Sequence, residues 1–168
     1  MTKTELESLQ EIVPGLTYNY HHTVVPDSMR ECDPLQNFQF VHPIVGNEKV
    51  VSPHFPLFKR LFLNKLNVEI CGRMKVNVTI NTDKIVEHGY HTDLNSSDID
   101  VNMYTAIFYF NTCDGYTAIK TKKGKIKKVQ SVENRICIFP AQCLHTGTTT
   151  SDSKTRTVLN IVYREKTL

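Results

Sequence analysis

From residue 68 onward the apolar positions come in short runs rich in β-branched and aromatic residues: VEICGRMKVNVTIN, MYTAIFYFN, GYTAIKT, GKIKKVQSV, RICIFP and RTVLNIVYR. Turn-forming clusters separate them, at 81–83, 95–98, Asp114-Gly115, Lys123-Gly124 and 150–153. With the stretches around His91 and after His145 included, the pattern predicts about eight strands. Upstream, Phe58, Leu61, Phe62 and Leu66 recur at three- and four-residue offsets behind Pro53 and Pro56, which predicts a short amphipathic helix over 55–66 packed on a sheet. The first 50 residues, with Pro14, Pro26, Pro34 and Pro43, show no clear period. The expected architecture is mainly β with flanking helices, a sandwich or barrel and not a parallel α/β fold. One domain over 1–168 is expected, with its core at about 68–165 and residues 1–67 flanking it.

Composition narrows the setting. A chain of 168 residues, 40% of them hydrophobic, can bury a sizeable core. Its net charge of +3 is too small to point to a nucleic-acid partner. No apolar run approaches membrane-spanning length, and the polar start MTKTELESLQEI lacks the apolar segment of a secretory signal, so a soluble, cytoplasmic protein is expected. Cys32, Cys71, Cys113, Cys137 and Cys143 contain no CxxC spacing and leave one over after pairing, the pattern of reduced thiols. Lys120, Lys122, Lys123, Lys125, Lys127 and Lys128 surround a glycine turn with no aromatic among them, which reads as a solvated hairpin.

The densest chemistry lies in HGYHTDLNSS, residues 88–97. On a strand His91 and Asp93 share one face while His88, Tyr90 and Thr92 take the other, so parity selects His91 and Asp93 as a chelating pair. On a helix the same pair would be splayed by roughly 200°. A second candidate group lies in RICIFPAQCLHTGTTTSDSKTRTVLNIV, where TTTSDS is expected to turn the chain into a hairpin. A turn centred between Ser151 and Asp152 would set His145 opposite Val158 and Gly147 opposite Arg156. Two imidazoles and one carboxylate are the ligand set suited to Fe(II) with open positions.

The order H-x-D, then His145, then Arg156 eleven positions later resembles the Fe(II)- and 2-oxoglutarate-dependent oxygenases, in particular their prolyl-4-hydroxylase-like branch. TAIFYFN at 105–111 is similar to the branch's T-x-x-Y-Y-L-N. Asp114-Gly115-Tyr116-Thr117 resembles its Gly-Gly-x-T turn with one glycine absent, and Asn134, Arg135, Phe139 and His145 resemble its distal strand. The likeness covers roughly residues 70 to 165. It implies a double-stranded β-helix, a jelly roll of cupin type, holding iron through His91, Asp93 and His145. It further implies that Arg156 binds the distal carboxylate of 2-oxoglutarate, with Tyr109, Thr105 and Asn77 as further co-substrate contacts. The implied activity is a dioxygenase that consumes O2, converts 2-oxoglutarate to succinate and carbon dioxide, and hydroxylates an unidentified peptide or small molecule, with prolyl or other protein side chains the class suggested by the branch. The alternative is a non-enzymatic metal-binding β-helix used for recognition or structure; a cupin-type hydrolase is more distant. Val158 stands where some branches carry Ser.

Other residues take ordinary readings. His21, His22, His42 and His54 are expected to be structural or exposed, and Asp98 and Asp100 to form a solvated acidic loop. Arg73 faces either a cavity or the surface, alternating with Met74 along the strand it shares with Lys75.

Overall fold

The computed structural model describes residues 1–94 and 102–166; Asp98, Asp100 and the 95–98 cluster lie outside the described residues. The N-terminal region holds more structure than its pattern suggested. Helix α1 (Lys3–Ile12) is opened by a capping box in which Thr2 and Glu5 satisfy each other's backbone N–H groups, and it buries Leu6 and Leu9. Strands β1 (Asn19–His21), β2 (Gln39–Gly46) and β3 (Lys49–Val50) follow. The helix expected over 55–66 is α2 (Phe55–Phe58) continued by a π-helical turn, Lys59–Leu63. Then come β4 (Val68–Ile80), β5 (Met103–Tyr109), β6 (Tyr116–Lys120), β7 (Ile126–Gln130), β8 (Ile136–Pro140), β9 (His145–Gly147) and β10 (Thr155–Glu165).

The strands form a double-stranded β-helix. The larger sheet runs β1-β2-β4-β10-β5-β8, with β3 on β2, and the smaller runs β7-β6-β9. Alternation along β4, β10 and β5 divides the protein into two layers. Met74, Val76, Leu159, Ile161, Ala106 and Phe108 point outward and are covered by α1, α2 and the π turn through Leu9, Phe58, Leu61 and Phe62. Ile107, Tyr109 and Val158 point between the sheets, where they meet Ile119 and Phe139. The polar residues Arg73, Lys75, Asn77 and Thr79 share the inner face of β4, which is why they reach the interior.

One expectation fails. β9 and β10 do not form a hairpin: β9 pairs with β6, setting Ile119 opposite His145, whereas β10 lies between β4 and β5. The polar run after Thr148 carries the chain from one sheet to the other, anchored by Asp114, which accepts from Thr150 and from the Ser151 backbone. His145 and Arg156 therefore face one cavity from opposite sheets. All five cysteines are unpaired. Among the described residues no helix is long and apolar enough to cross a membrane.

Candidate functional site

His91, Asp93 and His145 place their ligand atoms within 4.8 Å of one another. The backbones of His91 and His145 exchange two hydrogen bonds, 3.0 and 2.9 Å, and the Asp93 N–H donates to the Ala141 carbonyl. Each imidazole donates its Nδ1–H to a carbonyl two residues upstream, His91 to Gly89 at 3.4 Å and His145 to Cys143 at 3.1 Å. This fixes the tautomer and leaves the Nε2 lone pair for a ligand. Burial, then the neighbouring His145, pushes the His91 pKa down to about 4, so its imidazole is neutral at neutral pH. Burial alone would raise the Asp93 pKa; the Arg73 guanidinium, His145 and the Thr105 hydroxyl more than offset it and hold the carboxyl well below the usual range. Arg73 pairs with Oδ1, Thr105 donates to Oδ2 at 2.7 Å, and His145 Nε2 lies 3.4 Å from Oδ2. Imidazoles that turn Nε2 toward an oriented carboxylate are what a divalent cation requires, so the donor set fits iron(II).

Arg156 stands at the other end of the cavity and is 4% exposed. Its Nε donates to Ser131 Oγ, Nη2 to Thr117 Oγ1 at 3.0 Å, and Nη1 to the Thr148 carbonyl. Tyr109 donates to the same Thr117 hydroxyl, and its ring lies 5.6 Å from the guanidinium. Among the described residues no carboxylate pairs with Arg156. A buried cation held only by neutral groups is costly, and a carboxylate in the cavity would offset that cost. Gly115 makes room for it: a Cβ there would lie 2.6 Å from Arg156 Cδ and 2.5 Å from the Thr149 carbonyl oxygen.

The cavity is further lined by Lys75, Asn77, His88, Val158 and Asn160. Asn77 Oδ1 and His88 Nε2 are buried there without hydrogen-bond partners among the described residues. His88 corrects the parity reading, which turned it away. The 88–91 segment is not a regular strand, because Gly89 adopts φ +136° and breaks the alternation, so His88 and His91 line the same cavity. A Cβ on Gly89 would also lie 2.0 Å from the Met29 carbonyl oxygen. Arg73 turns inward to Asp93. The hydroxyls of Thr105 and Tyr109 serve Asp93 and Thr117. Sequence reading turned His88 away, set Thr117 in a turn motif without a role, and gave no role to Lys75, Ser131 or Thr148; of these last three only Lys75 carried a signal, its alternation with Met74 and Val76. In the basic hairpin Lys120 lies over Tyr90 and Lys128 over Tyr116, while Lys122, Lys123, Lys125 and Lys127 are exposed. His42 is structural, bonded to the Thr17 carbonyl and Ser52.

No family model and no curated protein sequence matches the chain. Solved structures do. A 2OG-Fe(II) oxygenase family oxidoreductase from Burkholderia pseudomallei aligns with a TM-score of 0.72 at 14% identity, over 98% of this chain and 80% of its own. A prolyl-4-hydroxylase from Pseudomonas putida aligns at 0.62 and 15%, over 99% and 89%. The chain has the fold of the 2-oxoglutarate- and iron(II)-dependent oxygenases. HygX from Streptomyces hygroscopicus, solved with nickel and 2-oxoglutarate bound, shares this fold at 0.60 and 12%, over 99% and 80%.

Proposed function

We propose that the chain, as one domain, is an iron(II)- and 2-oxoglutarate-dependent dioxygenase. His91, Asp93 and His145 would hold the metal, and Arg156 the distal carboxylate of the co-substrate. The observation that carries this reading is the buried guanidinium of Arg156, without a counter-charge among the described residues, in one cavity with a His-Asp-His cluster. A metal-binding module without turnover would leave that desolvated cation unexplained.

Bound iron(II) and 2-oxoglutarate supply oxygen activation, with the 2-oxo acid oxidised to succinate and carbon dioxide. The chain's own residues bind and orient. Arg73 and Thr105 hold Asp93 in place, so Thr105 serves the metal end and not the co-substrate directly. Tyr109 steadies Thr117 beneath Arg156. Asn77, whose amide can turn either end to the cavity, and His88 offer the co-substrate further hydrogen bonds. Val158 and Ile107 give the cavity an apolar wall that limits water. The substrate is a peptide or a small molecule, with prolyl or other protein side chains the class suggested by the branch; fold transfers chemistry better than substrate.

Anaerobic calorimetry should find one Fe(II) bound per chain, and Asp93→Ala should abolish that binding while unfolding stays cooperative. In air, the iron-loaded protein should form succinate slowly from 2-oxoglutarate alone. Succinate no higher than in a His145→Ala control, with no metal-dependent binding of 2-oxoglutarate, would overturn the reading.

A further inference from the structure

Among the described residues, Lys75 is the one cation on the cavity wall that the proposed chemistry does not use. It follows Arg73 on the inner face of β4 and lines the cavity, yet no hydrogen bond or ion pair joins its ammonium to a described residue. It pairs across the sheet with Asn160, four residues along β10 from Arg156, about 13 Å at roughly 3.3 Å per residue. Its charge is felt at His91 and Asp93, whereas that of Arg156 is felt at His88 and Tyr109. Lys75 therefore belongs to the metal end.

We propose that Lys75 seats an anionic group of the substrate, so that the substrate is a molecule bearing a carboxylate or a phosphate. This rests on the oxygenase reading and names the substrate class for the same site. Charge balance supports it. Arg73 is set against Asp93, and an iron(II) ion would be set against the two carboxylates of 2-oxoglutarate, which leaves Arg156 and Lys75 in excess. Both carboxylates of the co-substrate already have places, one at Arg156 and one at the metal. A third anion is what the remaining positive charge would attract in a cavity screened from water. Burial, then the neighbouring Arg73, lowers the Lys75 pKa, the direction expected of a buried cation short of counter-charge. On β2, a register shift between Pro43 and Val45 falls where that strand meets Lys75, and such irregularities commonly re-aim side chains beside functional sites.

The test uses the iron(II)-loaded protein, kept anaerobic and saturated with 2-oxoglutarate, in calorimetric titrations with matched pairs. N-acetylproline is compared with N-acetylprolinamide, and glycerol 3-phosphate with glycerol, so that the two anion chemistries are separated. One charged member should bind roughly tenfold or more tightly than its neutral partner. Lys75→Met should erase that preference and leave 2-oxoglutarate affinity unchanged, while Lys75→Arg should retain it. No preference in either pair, or one that survives in Lys75→Met, overturns the proposal. Weakened 2-oxoglutarate binding in Lys75→Met also overturns it, by giving the residue to the co-substrate. Failure of the oxygenase reading would be visible earlier, as no metal-dependent binding of 2-oxoglutarate in the parent protein.

Discussion

Arg156 and Asp93 are both buried charges, and their surroundings differ in kind. Asp93 has a cation and a hydroxyl on it, whereas Arg156 has two hydroxyls and a carbonyl. The first charge is compensated within the protein, and the second has no counter-charge among the described residues. Arg156→Lys keeps the charge and removes the planar fork, so affinity for 2-oxoglutarate should fall by about 1.5–3 kcal/mol, measured anaerobically by calorimetry. Unchanged affinity would mean that another cation takes the carboxylate. His88 shows the limit of residue-level reading. Parity holds only while the backbone stays extended, and the single positive φ at Gly89 brought a histidine expected outside into the cavity.

At the level of elements, β4, β5 and β10 each carry two programmes, one on each face. Their apolar alternation was legible in VEICGRMKVNVTIN and RTVLNIVYR, and the strands lie close to where it put them. The N-terminal elements were not. α1 is one short helix whose only strong mark is the Thr2–Glu5 capping box, and β2 has apolar residues buried on both faces, which erases the period-2 signal. The turn before β6 has a role its sequence did not announce, since Gly115 lies against the Arg156 side chain. Gly115→Ala should push that side chain aside and weaken 2-oxoglutarate binding by about 1–3 kcal/mol, with Fe(II) affinity unchanged. Equal losses at both sites would show a general disruption of the smaller sheet instead.

Across the whole molecule, stability and chemistry are laid on opposite faces of one sheet. Phe62 packs edge-on against Phe108 at 5.0 Å on the helical side, away from the cavity. Phe62→Ala should therefore cost about 3–5 kcal/mol in urea unfolding while the folded protein keeps its Fe(II) affinity. Loss of metal binding at temperatures where the variant is folded would contradict this separation. The sequence by itself determined the β-rich class, the strands of the core, and the H-x-D and His145 positions that converge, because these depend on side-chain period and local spacing. Only the tertiary structure decided which sheet each strand joins, that His145 and Arg156 meet across the cavity and not along a hairpin, and that Arg73, Lys75 and His88 turn inward. Those outcomes depend on long-range pairing and on single backbone angles, and a local pattern of apolar and polar residues encodes neither.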